Sequence, residues 1–217
     1  MRRGAIFDMD GTLFDTEKLY RQAWLDVVDE FGEEKNYGLP TAISGTNLGE
    51  ESYAVIRSFY PNIDAEAYLA RVLEEVRRFS ETNLELMTGV EEILAFFKAA
   101  GVRMAVASSA PVSVIEKNLI RSNLRGYFDF LIGGDKVTNG KPAPDIFLKA
   151  AEGLKLPTSD CYIFEDSFNG VRAAHASGGV AIMIPDQVQP TDEIKKLCAA
   201  IFPNLNEAMT AIKEARL

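Results

Sequence analysis

The order of elements along this 217-residue chain predicts an α/β protein, a parallel sheet flanked by helices and interrupted near its start by an all-helical insertion. Three observations carry that prediction. A short apolar run, Gly4-Ala5-Ile6-Phe7, leads directly into an acidic turn. From about residue 16 to 83, apolar residues recur at helical spacing with no strand alternation. After Met87, short apolar runs alternate with helical patterns towards the C-terminus.

The opening strand closes on Asp8-Met9-Asp10-Gly11-Thr12, where a Gly-Thr turn bends the chain away. In the insertion, Leu19, Trp24, Leu25, Val27, Val28 and Phe31 repeat at helical intervals before Gly32. Residues 38–45 read as irregular, and helices resume over 48–59 and 64–81, separated by Pro61. A helix over 89–100 is closed by Gly101 and followed by a strand over 102–107. A helix over 112–121 precedes a short strand at 128–132, which stops at Gly133-Gly134. Residues 144–153 then read as helix, 162–164 as strand, and 169–177 as a helix stopped by Gly178-Gly179. A strand over 180–184 leads into a helix-rich tail with a short apolar break at 199–202.

Chemistry gathers where the strands end, the edge at which open parallel sheets bind ligands. Asp8 and Asp10 are two apart and would share a face on an ideal strand. A turn at Gly11 instead lets one carboxylate attack while the other handles protons. Two such charges sit together only with a cation, which implies a hard divalent metal such as Mg2+. The spacing alone also describes a solvated loop.

Three further segments change that balance. Ser108 and Ser109 end the second strand ahead of a helix opened by Pro111. Hydroxyls and N–H groups so placed suit a phosphate oxygen, and equally a helix cap. Lys141 lies in the stiff turn Gly140-Lys141-Pro142-Ala143-Pro144-Asp145, a setting for a fixed ammonium facing an anion rather than a solvated charge. The run Cys161-Tyr162-Ile163-Phe164 ends in Glu165-Asp166-Ser167, with Phe168-Asn169-Gly170 beyond, and these acids could cap the next helix. Capping does not account for three strands ending in acids or hydroxyls together with the lysine between them.

Composition narrows the choice of function. A net charge of −9 argues against nonspecific binding to nucleic acid or anionic membrane, and an anionic substrate would need local positive charge. Cys161 and Cys198 are far apart, fit no zinc spacing, and neither has the arginine of a cysteine-phosphatase loop at the sixth position beyond. The only histidine, His175, has no Gly-x-Ser-x-Gly elbow to serve, so covalent chemistry falls to a carboxylate. Met1-Arg2-Arg3 leads into a strand rather than a signal peptide, and no apolar stretch reaches membrane-spanning length, so the expected location is the cytoplasm.

In these motifs the chain resembles the haloacid dehalogenase superfamily of phosphotransferases. The resemblance spans essentially the whole chain and holds four motifs in order: Asp8-Met9-Asp10-Gly11-Thr12, Ser108, Lys141 and Glu165-Asp166. It looks most like the branch containing β-phosphoglucomutase and small-metabolite phosphatases, through Gly-Lys-Pro-Ala-Pro-Asp-Ile-Phe and Phe-Glu-Asp-Ser-x-x-Gly. The resemblance implies a Rossmann-like core of residues 1–15 and 85–217, with residues 16–84 as a helical cap that opens to substrate and closes against water.

It also implies roles. Asp8 is the nucleophile that becomes aspartyl-phosphate, and Asp10 the general acid and base. Mg2+ is held by Asp8, the Asp10 carbonyl and Asp166, with Glu165 direct or through water. Ser108, Ser109 and Lys141 hold the phosphoryl group, as phosphoryl transfer requires charge neutralisation and in-line positioning. Asp15 serves the hinge.

Specificity is expected from Tyr20, Trp24, Thr46 and Asn47, a semi-polar set. Tyr20 stands where the mutase pattern has histidine, and the loop 45–49 lacks its phosphate-gripping arginine, which favours hydrolysis over mutase chemistry. No lysine between Lys35 and Lys98 is present to form a Schiff base, and Asp10 favours phosphate over haloacid substrates. The expectation is a Mg2+-dependent phosphatase of small phosphorylated metabolites, with no nucleic-acid, membrane or obligate protein partner. A mutase is the alternative, and a catalytically idle binding protein is disfavoured by the retained acids.

Overall fold

The computed structural model describes all residues of the chain except 44–48, 82–83 and 187–188. Two compact units result, Met1–Phe14 with Leu86–Leu217, and Asp15–Glu85.

The larger unit is built on six parallel strands, β1 (Gly4–Phe7), β2 (Arg103–Ser108), β3 (Phe130–Gly133), β4 (Cys161–Glu165), β5 (Val180–Met183) and β6 (Ala200–Ile201). They lie in the order β3-β2-β1-β4-β5-β6. Side chains alternate across such a sheet, and both faces here are apolar, as burial on two sides demands. On one face Ile6, Ala105, Ala107, Cys161 and Ile163 pack against Ile146, Phe147, Ala150 and Ala151 of one helix and Ala173 and Ala174 of another. On the other face Phe7 stacks on Phe164 at 4.7 Å, and Phe97 meets Phe7 edge-on at 6.2 Å.

Among its described residues the smaller unit has helices and no strand, with α1 (Thr16–Val27), α2 (Leu39–Ile43), α3 (Glu50–Phe59) and α4 (Ala65–Ser80). Asp15 accepts from the Lys18 N–H to cap α1, and Asp64 caps α4 through the N–H groups of Glu66 and Ala67. The core centres on Tyr68, whose ring touches those of Trp24, Phe31 and Tyr60 and whose hydroxyl donates to Trp24 O at 2.6 Å. The remaining helices, all in the larger unit, are α5 (Val90–Ala99), α6 (Val112–Arg121), α7 (Asp145–Gly153), α8 (Phe168–Ala176), α9 (Asp192–Leu197) and α10 (Leu205–Lys213).

Three details depart from the sequence reading. The segment read as irregular contains α2, because Leu39, Pro40 and Ile43 are buried and Pro40 sits in the first turn, where its missing N–H costs nothing. The apolar break in the tail is the edge strand β6, paired in parallel with β5. Strand β4 runs one residue further, to Glu165, because the Ile184 N–H donates to the Glu165 carbonyl at 2.7 Å and continues the ladder.

Candidate active site

The register of the sheet brings the strand-end motifs level. Phe7 pairs with Val106 on one side and Phe164 on the other, so Asp8, Ala107 and Glu165 follow at one height. The Asp8 N–H donates to Phe164 O at 3.0 Å, which keeps Asp8 in the ladder. Alternation sends Phe7 and Phe164 to the aromatic face and their successors to the face that α7 covers.

Lys141 enters from the segment just ahead of α7 and meets them there. Its Nζ donates to Asp8 Oδ1 and Glu165 Oε1, both at 2.5 Å, and to Ala107 O at 3.2 Å, and it lies 5.1 Å from the Phe147 ring centroid. All three ammonium protons thus have acceptors. Burial works against the Lys141 charge, but Asp8 and Glu165 together outweigh it and hold the ammonium above its ordinary range.

Asp166 completes an acidic cluster. Carboxylate oxygens of Asp8, Glu165 and Asp166 lie within 4.8 Å of one another. Gly11 makes room for it: its φ is +74°, and a Cβ there would stand 2.3 Å from Asp166 Oδ2. Burial pushes the Asp8 carboxyl up, against the pull of Lys141, and Glu165 and Asp10 push the same way. Burial likewise raises Asp166, with Glu165 and Asp8 adding to it. One ammonium is therefore too little positive charge for this group of acids. An all-oxygen donor set short of cationic charge fits a hard divalent ion such as Mg2+.

The other predicted residues fall as follows. Asp10 bridges to Phe14 in the turn after β1, and its charge is felt at Asp8. Ser108 is buried at the end of β2, where its hydroxyl accepts from the Ala110 N–H at 3.1 Å. It does not cap α6: Pro111 holds that position, and Asp135 accepts from the Val112 N–H instead. Ser109 follows as an exposed residue, and Thr12 is fully buried with its hydroxyl unpartnered.

In the helical unit Tyr20 is half-buried against the core, whereas Trp24 is only 4% exposed and packs on Tyr68. Thr46 and Asn47 lie outside the described residues. Lys18 pairs with Glu85 at 2.7 Å, and Lys35 with Asp26 and Asp29 at 3.3 Å.

Two residues to which sequence reasoning assigned no role sit against Glu165. The N–H and hydroxyl of Ser167 donate to Glu165 Oε2 at 3.2 and 3.0 Å, and a Cβ on Gly170 would overlap the same carboxylate. The Ser-x-x-Gly spacing opening a helix was the available signal, but it signals an N-cap rather than a contact with the preceding strand.

A parallel sheet thus collects three carboxylates and a lysine at its C-terminal edge, a group whose chemistry suits a divalent cation and an anionic ligand. The chain belongs to the haloacid dehalogenase-like hydrolases, whose family model matches residues 3–178. It is 36% identical over 173 residues to a phosphorylated carbohydrates phosphatase of Thermotoga maritima, covering 80% of each chain. It is 33% identical to the fructose-1-phosphate phosphatase of Escherichia coli over 82% of this chain and 94% of that one. A Thermotoga maritima crystal structure named for β-phosphoglucomutase superposes with a TM-score of 0.83 at 32% identity, over 98% of this chain and 99% of that one. The predicted enzyme class, a phosphoric monoester hydrolase, is that of both curated relatives.

Proposed function

We propose that this protein is a Mg2+-dependent phosphatase of small phosphorylated metabolites (sugar, polyol or short-acid phosphates), working through an aspartyl-phosphate on Asp8. The observation that carries the reading is Lys141 Nζ at 2.5 Å from Asp8 Oδ1, inside the cluster of Asp8, Glu165 and Asp166. A carboxylate beside a fixed ammonium is placed to attack phosphorus while the charge of the phosphoryl oxygens is neutralised. The two curated relatives, named for phosphorylated carbohydrates and fructose 1-phosphate, support the substrate class.

In the first step a carboxylate oxygen of Asp8 forms the bond to phosphorus as the ester P–O bond breaks. Asp10 gives its proton to the leaving oxygen. In the second step Asp10 takes a proton from water, whose oxygen bonds to phosphorus while the Asp8–phosphorus bond breaks and inorganic phosphate leaves. Lys141, with Ser108 and Ser109, holds the phosphoryl oxygens. Mg2+ would be held by Asp8, Asp166 and the Asp10 carbonyl, with Glu165 beside it, and supplies Lewis-acid neutralisation of the phosphoryl charge when bound.

The helical unit acts in this reading as the cap that selects substrate, through Tyr20, Thr46 and Asn47, with Trp24 supporting them from the core. The enzyme works in the cytoplasm on free small molecules, and among the described residues no helix is long and apolar enough to cross a membrane.

The test is phosphate release by the purified protein, with Mg2+ and after chelation, from a panel of sugar, polyol and short-acid phosphates. Metal-dependent turnover of several is expected, and none on any ester would sink the reading. The structural likeness to a chain named for β-phosphoglucomutase makes the mutase the second reading. β-Glucose 1-phosphate with a catalytic amount of the bisphosphate separates the two, because rapid glucose 6-phosphate formation with little phosphate release would establish the mutase.

A further inference from the structure

We propose that Ser167 is a positioning residue for Lys141, acting through Glu165; the proposal rests on the phosphatase reading above and deepens it. Glu165 is the last residue of β4 and Ser167 the N-cap of α8, so the chain turns from strand to helix within two residues. Across that turn the Ser167 N–H and hydroxyl both donate to Glu165 Oε2, at 3.2 and 3.0 Å. Ser167 Oγ also accepts from the Gly170 N–H at 3.0 Å, the ordinary capping bond. Capping uses only the lone pairs of the hydroxyl, and its single proton is left for Glu165.

Gly170 closes the cradle. A Cβ there would stand 1.8 Å from Glu165 Cδ and 2.0 Å from each carboxylate oxygen. The first turn of α8 therefore packs on the carboxylate itself. With Oε2 held, Oε1 is left facing Lys141 Nζ at 2.5 Å.

The consequence lies in how Lys141 spends its protons. Asp8, Glu165 and Ala107 O accept all three. A phosphoryl oxygen arriving at Asp8 takes over the donor that faced that carboxylate. The ammonium is then anchored by Glu165 and the Ala107 carbonyl alone. A Glu165 free to change rotamer would draw Lys141 off the phosphoryl group while Asp8 reacts, and the Ser167 clasp prevents this.

The experiment compares Ser167→Ala, Ser167→Asp and Ser167→Thr, each alone and combined with Lys141→Ala. Ser167→Ala should lower kcat by about 10–100-fold, the usual effect of losing an outer partner of a site ligand, while KM moves little. Ser167→Asp still caps α8 and keeps the backbone N–H bond, but its side chain cannot donate to Glu165, so kcat should be no higher than in Ser167→Ala. Ser167→Thr keeps the donor and should restore kcat. In the Lys141→Ala background, Ser167→Ala should cause no further loss. An equal loss in both backgrounds, or full kcat in Ser167→Asp, would reduce Ser167 to a helix cap and overturn the proposal.

A second readout needs no turnover. In metal-free protein labelled with 15N-lysine, the Lys141 ammonium signal, assigned by its absence in Lys141→Ala, should be protected from solvent exchange in wild type and Ser167→Thr. It should be lost in Ser167→Ala, and an unchanged signal there would overturn the role. A wild type inactive on every ester would defeat the phosphatase reading, while this signal would still decide the positioning one.

Discussion

Lys141 Nζ and Glu165 Oε1, from residues 24 apart in sequence, lie 2.5 Å apart with both side chains nearly excluded from solvent. Asp8 shares the same ammonium, so one buried cation serves two carboxylates while Asp166 adds a third. Buried charge is tolerated only where it is paired, and here the carboxylates outnumber the ammonium, so negative charge is in excess. The consequences of that imbalance can be measured.

Asp8→Asn should abolish phosphate release while the fold is kept, since an amide retains the shape of the side chain but does not attack phosphorus. It also removes one like charge from a buried cluster whose burial and neighbours push the Asp8 carboxyl up. The melting temperature in metal-free buffer should therefore equal or exceed that of wild type. Turnover in this variant, with deamidation back to Asp excluded by mass spectrometry, would place the nucleophile elsewhere.

Mg2+ should raise thermal stability as well as activity. A cation bound only by the folded cluster stabilises by about 2.7 kcal/mol at a free concentration near 100 times Kd. Asp166→Asn should remove most of that Mg2+-induced shift by deleting a ligand. Scanning calorimetry with and without Mg2+ reads this directly, and an unchanged shift in the variant would exclude Asp166 from the metal site.

Gly170→Ala should cost both activity and stability. The added methyl group would overlap the Glu165 carboxylate, which is walled in by Lys141 and Ser167. Overpacking of this kind costs about 1–3 kcal/mol. Denaturant unfolding should show the loss, with kcat falling in parallel. A variant of wild-type stability and rate would mean that α8 can shift away from β4 without consequence.

Acid should weaken the helical unit through Glu75. This nearly buried carboxylate bonds to Arg78 and, at 3.1 Å, to Arg71, and the Arg78 bond first among these influences holds its carboxyl below the usual range. A depressed carboxyl contributes stability that is complete above the ordinary glutamate value of about 4.3 and lost as pH falls through the depressed one. Glu75→Gln should be less stable than wild type at neutral pH, and the gap should shrink on acidification. Trp24, the only tryptophan, sits in the core of this unit, so its fluorescence reports the transition. A gap independent of pH would show that the ion pairs contribute nothing.

Much of the fold was legible before any coordinates. Helical spacing around Leu19, Trp24 and Phe31, and the alternation of short apolar runs with helices after Met87, are local signals that the chain carries wherever it is placed. Strand and helix ends were less legible. Glu165 belongs to β4 because it pairs with Met183 of β5 and its carbonyl accepts from Ile184, the residue just beyond that strand. The pair Ala200–Ile201 becomes a strand only because β5 offers it an open edge. Trp24, expected in the semi-polar specificity set, packs in the core against Tyr68, a neighbour 44 residues on.

The sequence by itself determined which groups are available: acids at Asp8, Asp10, Glu165 and Asp166, hydroxyls at Ser108 and Ser109, and a lysine in a proline-stiffened turn. Their types and places beside turns follow from residue chemistry and local backbone preference. Only the tertiary structure decided who touches whom. The order β3-β2-β1-β4-β5-β6 sets β1 beside both β2 and β4, and its register brings Asp8 level with Ala107 and Glu165. Side-chain alternation then turns those carboxylates towards Lys141, and the strand-to-helix turn at Ser167 clasps one of them. These contacts join residues up to 133 apart, and a pairing at that distance is set by which strands stack, which no local pattern encodes.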